Sequence, residues 1–428
     1  MRSPATPPLS LAAAWEHPVI DAAGDDTALV VTVSAPDRGT GTVPTRTPID
    51  VAFVLDRSGS MAGEKLALVK EAVDVALDHL SAHDRVALVI FDDSVDTLHD
   101  LAPATPEVKA TIRRRLGRVD AGGSTYLSGG WLAGCRQLAD AEAIGSGLVR
   151  PRRTILLTDG QANVGITDNA ELAKHATELR VRGITTTTIG VGLGFDELLL
   201  SAMAEAGGGA FQFIAHPREL SPFFAGEIAD LLAIAATNPR LRLTLPHGVR
   251  ADLVNAFPTQ REGKTITVDL RDLAAGDTLR LVFDVRVAAG TVGSTVAPSL
   301  KLSWTDDAGR HRVVEPVDAL TRARRETVAA TPVDDALRTT VVLERAAKTQ
   351  REAIALDREG RFEESRRLFA ANRDMLMHAP QTDDIRREAS LHEALAAAPM
   401  APLPEATRKE RVFSAARRSR GHREHPSD

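Results

Sequence analysis

Between residues 49 and 235 the sequence alternates short apolar runs with stretches of helical periodicity, and this pattern restricts the fold more than any other feature. Ile49–Leu55 and Ile184–Val191 are apolar or β-branched at nearly every position, whereas Glu64–Leu80 carries apolar residues at helical spacing. Strands that are buried on both faces need such continuous apolar runs. Because these strands alternate with helices, residues 49–235 are predicted to form an α/β domain with a mostly parallel sheet.

Residues 236–325 follow a different pattern, in which apolar and polar residues alternate one by one. Lys264–Leu270 and Thr278–Val287 are clear examples. Strands of period two separated by turn-forming residues predict an antiparallel β-sandwich. The N-terminal segment, residues 1–48, contains one similar strand at Thr27–Ala35, which we expect to join that sandwich. The α/β domain is therefore predicted to be inserted in the sandwich, or else simply followed by it.

The C-terminal part of the chain is predicted to be helical over residues 326–400. Ala353–Leu376 contains two apolar-striped helices broken at Glu359–Arg361, a helical hairpin that resembles one tetratricopeptide unit. A single unit does not make an array, so we expect the hairpin to pack against the rest of the chain. Residues 401–428 are rich in arginine and are predicted to be a basic, partly disordered tail.

Composition narrows the functional class. The net charge of -6 argues against a dedicated nucleic-acid-binding protein. The single cysteine, Cys135, excludes an intrachain disulfide and is expected to be a small core residue on a helix. The apolar stretch Leu9–Trp15 is short and follows several prolines, which does not fit a signal peptide. Since there is also no run of about 18 apolar residues, we expect a cytoplasmic protein without a membrane span.

The first strand of the α/β domain ends in a group of oxygen-bearing side chains. Asp56, Ser58 and Ser60 are spaced two apart on a turn just past the carboxyl end of the strand. Ligands of parallel α/β sheets bind in the crevice outside those ends. Gly59 allows the turn to curl, so that alternate side chains can point to the same place.

Two further segments are expected to reach the same point. Thr125 follows a glycine-rich loop at the start of a helix, and Asp159 ends the buried strand that begins at Thr154. The five side chains would offer two carboxylates and three hydroxyls, a set that suits a hard cation such as Mg²⁺, with Mn²⁺ or Ca²⁺ as alternatives. Because neutral hydroxyls leave part of the ionic charge uncancelled, such a cation could attract an outside carboxylate.

The pattern Asp56-x-Ser58-x-Ser60, followed by Thr125 and then by Asp159 in Thr-Asp-Gly, resembles the metal-ion-dependent adhesion site of von Willebrand factor A domains. The resemblance covers about 190 residues, with all five motif positions in order. It implies that the two serines and the threonine bind the metal directly, and that the two aspartates bind it directly or through water. It also implies a protein partner that supplies an aspartate or glutamate carboxylate, and a non-enzymatic role.

Other interpretations of the same residues remain open. Taken singly, each fragment also fits an ordinary turn or helix cap, and only the conjunction at successive strand ends favours a metal site. A Mg²⁺-dependent phosphohydrolase is one alternative, although Ser58 stands where a haloacid-type enzyme has a second aspartate. A non-catalytic subunit that works with a separate AAA-type ATPase is another. The chain itself contains no P-loop, because Pro258 replaces the first glycine upstream of Gly263-Lys264-Thr265.

Overall fold

A computed structural model of the protein describes residues 9–37, 47–140, 150–306 and 309–421. Residues 9–37 of the N-terminal segment contain three strands: β1 (Ser10–Trp15), β2 (Val19–Asp21) and β3 (Gly24–Ser34). Strand β3 confirms the predicted strand. The other two were not predicted, because the alanine-rich β1 has a low strand propensity. Arg38–Pro48 is rich in Gly, Thr and Pro, which predicts a linker or loop. Most of it, residues 38–46, lies outside the described residues.

The α/β domain is built on a six-stranded sheet. Its strands are β4 (Asp50–Asp56), β5 (Arg85–Phe91), β6 (Val95–Pro103), β7 (Arg152–Thr158), β8 (Ile184–Val191) and β9 (Gly208–Ile214). They lie in the order β6-β5-β4-β7-β8-β9, and all neighbours are parallel except β5 and β6. The predicted mostly parallel sheet is therefore confirmed. Strand β6 was missed because it is an edge strand that mixes polar and apolar residues and lacks a continuous apolar run.

Six helices cover the two faces of this sheet: α1 (Glu64–His79), α2 (Pro106–Gly117), α3 (Leu127–Ala139), α4 (Asn169–Val181), α5 (Glu197–Gly207) and α6 (Leu220–Leu232). Apolar side chains of α1, α2 and α6 share one core with the sheet, and those of α3, α4 and α5 share another. Cys135 is buried on α3, as predicted, and burial raises the pKa of its thiol to about 12. The sequence pattern predicts this helix over Ser128–Ala143, of which residues 141–143 lie outside the described residues.

The sandwich follows directly after α6, since strand β10 begins at Ile234. The apolar spacing of Glu219–Ala235 predicts a helix over that whole range, which is too long at its carboxyl end because α6 stops at Leu232. The remaining strands are β11 (Val249–Leu253), β12 (Thr259–Glu262), β13 (Thr265–Asp269), β14 (Leu273–Ala274), β15 (Thr278–Ala288), β16 (Thr295–Val296), β17 (Ser299–Asp306), β18 (Gly309–Pro316) and β19 (Leu320–Ala323); β10 itself ends at Thr244. They form the two larger sheets β1-β3-β15-β11 and β12-β13-β10-β17-β18, and a small sheet β16-β19-β2.

The predicted insertion is confirmed by the pairing of β3 with β15. The two strands are antiparallel over eleven positions, from Gly24 opposite Ala288 to Ser34 opposite Thr278. The whole α/β domain lies between β3 and β10 in the sequence. Apolar residues of both larger sheets form one continuous core.

The described part of the C-terminal region, up to residue 421, contains five helices: α7 (Arg325–Ala330), α8 (Asp335–Arg358), α9 (Phe362–Met377), α10 (Asp383–Ala396) and α11 (Glu405–Arg420). The break between α8 and α9 falls at residues 359–361, as predicted. Ile354, Phe369 and Val412 join the core on the α3–α5 face of the parallel sheet. The helical hairpin therefore packs against the rest of the chain, as expected. Among the described residues, no helix combines the length and the apolar character that a membrane crossing requires.

The prediction of a partly disordered basic tail is wrong for residues 405–420, which form α11. This helix buries Lys409 and Arg420 together with apolar residues such as Val412. The Lys409 ammonium pairs with Glu197, and one Arg420 guanidinium nitrogen donates to the carbonyl oxygen of Ala204, 2.9 Å away. The Glu197 carboxylate makes burial of the Lys409 charge possible, whereas burial lowers the pKa of Arg420 to about 9. Residues 422–428 lie outside the described residues.

Candidate metal centre

Asp56 lies at the carboxyl end of β4, between the ends of the neighbouring strands β5 and β7. Its side chain is completely buried. One carboxylate oxygen accepts a hydrogen bond from the backbone nitrogen of Ser58 at 2.7 Å, and the other accepts one from the hydroxyl of Thr158. Burial raises the pKa of Asp56 above its usual value, although these hydrogen bonds oppose the shift. The carboxylate is thus held in place at a site where a nearby cation would stabilise it.

The next two predicted residues lie on the 3₁₀ turn that follows β4. The hydroxyl oxygens of Ser58 and Ser60 are 3.2 Å apart, so both face the same point. The backbone nitrogen of Gly59 donates to the carbonyl oxygen of Gly123 at 3.2 Å, which ties this turn to the loop before α3. A Cβ atom on Gly59 would stand 3.7 Å from that same carbonyl oxygen.

Asp159 follows β7, and its carboxylate joins the serine turn. The Ser60 hydroxyl donates to one Asp159 carboxylate oxygen at 2.6 Å. The Lys65 ammonium forms an ion pair with the other oxygen and also donates to the backbone carbonyl of Ser60 at 3.2 Å. The Asp159 side chain is fully buried, whereas that of Lys65 is one-third exposed. A positive charge of the protein therefore already contacts one of the two carboxylates.

Thr125 is brought to the same place by the loop before α3. Its backbone nitrogen donates a hydrogen bond to the side-chain oxygen of Asn163 at 3.0 Å, which fixes the position of this part of the loop. A Cβ atom built on Gly160 would stand 3.0 Å from the Thr125 hydroxyl and 3.8 Å from the Ser60 hydroxyl. Both hydroxyls thus converge on the glycine that follows Asp159. All five predicted residues come together at one edge of the sheet.

Around this cluster, the sequence predicts that Asp92 starts a solvated loop and that Arg57 and Tyr126 flank the site. Asp92 is buried rather than part of a solvated loop, because Ser94 and Arg57 bind its carboxylate. Burial alone would raise the pKa of Asp92, but these partners hold it below its usual value. Arg57 and Tyr126 flank the cluster, as expected, and the Tyr126 ring packs against Gly129 and Gly165.

Three residues that support the cluster were not predicted in these roles. Thr158 orients Asp56, Asn163 holds the backbone of Thr125, and Lys65 pairs with Asp159. Thr158 precedes Asp159 in the motif and could have been found from its place at a strand end. The other two depend on contacts between segments far apart in the chain, for which the sequence contains no local signal.

The donor set fits a hard cation better than a transition metal. Two carboxylates and three hydroxyls are oxygen ligands, and the described part of the cluster contains no imidazole or thiolate. Among the described residues, no group of three or more His, Cys, Asp or Glu side chains is close enough to hold a metal. A centre at this edge would therefore have to rely on the hydroxyls of Ser58, Ser60 and Thr125.

The fold and the order of these segments agree with comparisons to known proteins. The family model of the von Willebrand factor type A domain matches residues 50–222. Residues 50–222 form a von Willebrand factor type A domain. Domains of this family commonly mediate interactions between proteins. The match begins at the first residue of β4 and ends within α6.

Similar architectures are found beyond that domain. A von Willebrand factor type A protein from Catenulispora acidiphila superimposes with a TM-score of 0.72 at 20% identity, covering 90% of this chain and 89% of that one. The ArnB paralog VWA2 from Sulfolobus acidocaldarius superimposes with a TM-score of 0.62 at 17% identity, covering 97% and 99%. These likenesses show that the α/β domain, the sandwich and the C-terminal helices form a shared fold.

Relatives are also found at the sequence level. The Escherichia coli protein YfbK is 26% identical over 313 residues, which cover 71% of this chain and 53% of YfbK. The Synechocystis protein sll0103 is 26% identical over 275 residues, covering 61% and 63%. The chain thus spans between half and two thirds of the length of these curated relatives.

Proposed function

We propose that this protein is a metal-dependent interaction module. Asp56, Ser58, Ser60, Thr125 and Asp159 would hold a divalent cation, Mg²⁺ in the first instance and Mn²⁺ or Ca²⁺ as alternatives. The bound cation would supply an open coordination position for a carboxylate from an aspartate or glutamate of a partner protein. This chain's own residues would orient that position and form the surface around it.

The proposal rests mainly on the convergence of the hydroxyls with Asp159. Ser60 lies 3.2 Å from the Ser58 hydroxyl and 2.6 Å from an Asp159 oxygen, and Thr125 approaches the same glycine as Ser60. These residues come from three segments that are separated in the chain by more than 30 positions. Two carboxylates that are both buried at one strand edge repel each other when ionised, and a bound cation would offset that repulsion, which supports a binding role.

The charges at the site favour an anionic partner group. Asp56 and Asp159 balance a divalent cation, and Lys65 adds one further positive charge beside Asp159. The serines and the threonine are neutral, so the loaded site would carry a net positive charge. Such a site attracts a carboxylate and disfavours a cationic group.

The proposal can be tested by calorimetric titration of Mg²⁺ and Mn²⁺ into the metal-free protein. The Asp56→Ala/Ser58→Ala variant removes two predicted ligands, and we expect it to lose binding. Asp93→Ala is a matched control, because Asp93 is an exposed carboxylate beside the loop of Gly123 and is not a predicted ligand. It is expected to bind the metal as the intact protein does.

A second titration tests the carboxylate. Sodium acetate or an acidic peptide is expected to bind only when the metal is present, and to tighten the binding of the metal in return. Binding of close to one metal per chain, lost in the double variant and retained in Asp93→Ala, supports the proposal. If the intact protein binds neither metal, with or without acetate, the proposed function is wrong.

A further inference from the structure

The loop after β8 lies directly against the candidate metal centre. This β8–α5 segment comprises residues 192–197. A Cβ atom on Gly194 would stand 2.4 Å from the backbone oxygen of Asp159, so the two main chains are in direct contact there. Two residues earlier, a Cβ atom on Gly192 would stand 3.8 Å from the Lys65 ammonium. Any movement of the segment therefore changes the surroundings of both Asp159 and its cationic partner.

The opposite side of the β8–α5 segment is held by α11. The Lys409 ammonium donates to the backbone oxygen of Phe195 at 2.6 Å and to a carboxylate oxygen of Glu197 at 3.0 Å. It also lies 4.3 Å from the centre of the Phe195 ring. A single buried lysine thus fixes three groups of the segment at once.

Helix α8 holds the same segment through Arg358. Its two terminal nitrogens donate to the two carboxylate oxygens of Asp196, at 2.7 and 3.0 Å. One of those oxygens also accepts from the backbone nitrogens of Leu198 and Leu199, which makes Asp196 the N-cap of α5. A bidentate pair of this kind fixes the orientation of the carboxylate as well as its position.

These contacts are more buried than several other ion pairs of the C-terminal helices, and the Arg358 and Asp196 side chains are 29% and 20% exposed. The side chains of Lys409 and Glu197 are each 2% exposed, whereas those of Arg367 and Glu363 on α9 are 72% and 71% exposed. A buried charge cannot be separated from its partner without leaving that partner uncompensated. The β8–α5 segment is therefore expected to move only together with α8 and α11.

We propose that the C-terminal helices position the metal centre through the β8–α5 segment, with Arg358 and Lys409 as the positioning residues. This inference rests on the proposed function, since the affected property is the affinity for the cation and for its carboxylate ligand. A partner that binds or displaces α8 or α11 would change that affinity. By reciprocity, loading of the metal centre would change the stability of the contacts of both helices.

The test uses the full chain and Mn²⁺. Arg358→Gln is expected to weaken Mn²⁺ binding about three- to tenfold, the usual range for coupling through a packed network. Arg367→Gln, which removes an exposed pair in the same helical layer, is expected to leave the Kd unchanged. Leu302→Ala serves as a stability control, because it creates a cavity in the core between the two larger sheets of the sandwich and is expected to lower the Tm without changing the Kd. Arg358→Lys should restore part of the affinity.

Hydrogen exchange of the metal-free protein is the second readout. Amides of residues 159–163 and 192–197 are expected to exchange faster in Arg358→Gln than in the intact protein or in Arg367→Gln. If the intact protein binds Mn²⁺ and Arg358→Gln binds it with the same Kd, the coupling is refuted while the proposed function stands. If the intact protein binds no Mn²⁺, the proposed function fails. The hydrogen-exchange measurement alone then tests whether Arg358 positions the loop at residues 159–163. Faster exchange at residues 159–163 then supports the positioning role, and unchanged exchange overturns it.

Discussion

Glu344 provides a test of the packing between the C-terminal helices and the sandwich. It lies on α8, is buried, and accepts a hydrogen bond from the side-chain nitrogen of Asn255 at 3.1 Å. The same nitrogen also donates to the carbonyl oxygen of Ser419 on α11, at 3.0 Å. The substitution Glu344→Gln keeps the size of the side chain and removes its ionisation. It therefore isolates the effect of one buried charge on stability.

Burial raises the pKa of Glu344 from 4.5 to about 8, although the charges of Arg418 and Arg351 oppose the shift. Below pH 4.5 the carboxyl group is protonated in both the folded and the unfolded chain, and above pH 8 it is ionised in both. Between these values only the unfolded chain releases the proton, so the folded state loses stability as the pH rises. At about 1.4 kcal/mol for each pH unit, the total loss reaches roughly 5 kcal/mol.

The assay is thermal unfolding of the intact protein and of Glu344→Gln at pH 5 and pH 8.5. The two proteins are expected to have similar Tm values at pH 5, and the variant is expected to be more stable at pH 8.5. Glu363→Gln is a suitable control, because its side chain is exposed on α9 and its Tm difference should not depend on pH. A Tm difference between Glu344→Gln and the intact protein that is the same at both pH values would refute the reasoning.

Three further predictions concern the α/β domain. Lys65→Met removes the cation that pairs with Asp159, so Mn²⁺ should bind about three- to tenfold more tightly while acetate binds the loaded site more weakly, both measurable by calorimetry. Gly134→Ala places a Cβ atom 2.3 Å from a methyl group of Val54, and urea unfolding should show a loss of about 1–3 kcal/mol that Val54→Ala partly reverses. Asp50→Asn breaks the buried pairs with Arg85 and Arg150 and should lower the free energy of unfolding by about 3–5 kcal/mol. The Kd for Mn²⁺ should stay unchanged, because Asp50 lies at the end of β4 opposite to Asp56.

The architecture could be predicted where local patterns determine it. Continuous apolar runs identified the parallel strands, and one-by-one alternation identified the sandwich. Strand β1 and the edge strand β6 were missed, because an alanine-rich strand and a polar edge strand acquire their structure from the neighbours they pair with. The strand at Thr27–Ala35 could be assigned to the sandwich because an isolated strand needs a sheet, but its partner β15 could not be named from the sequence.

The five residues of the candidate centre could be named from the sequence because each stands at or just after a strand end, or in a loop that begins a helix. The contacts that hold these five residues in place could not be predicted from the sequence. The Lys65–Asp159 pair and the approach of Gly194 to Asp159 join positions that no periodicity connects. The burial of Lys409 was hidden for a related reason, since a basic stretch usually indicates a solvated surface and only the tertiary structure supplies Glu197.

The insertion of the α/β domain between β3 and β10 has a consequence for synthesis of the chain on the ribosome. Strand β3 needs β15, whose first residue follows the last residue of β3 by more than 240 positions. At about 5–20 residues per second, β15 is translated roughly 10–50 s after β3. During that interval one edge of an apolar strand has no partner in its sheet. Rapid folding of the inserted domain brings the end of β3 close to the start of β10, so that β15 can reach β3 sooner. Nascent chains with a destabilised α/β domain should therefore aggregate more than their equilibrium stability suggests.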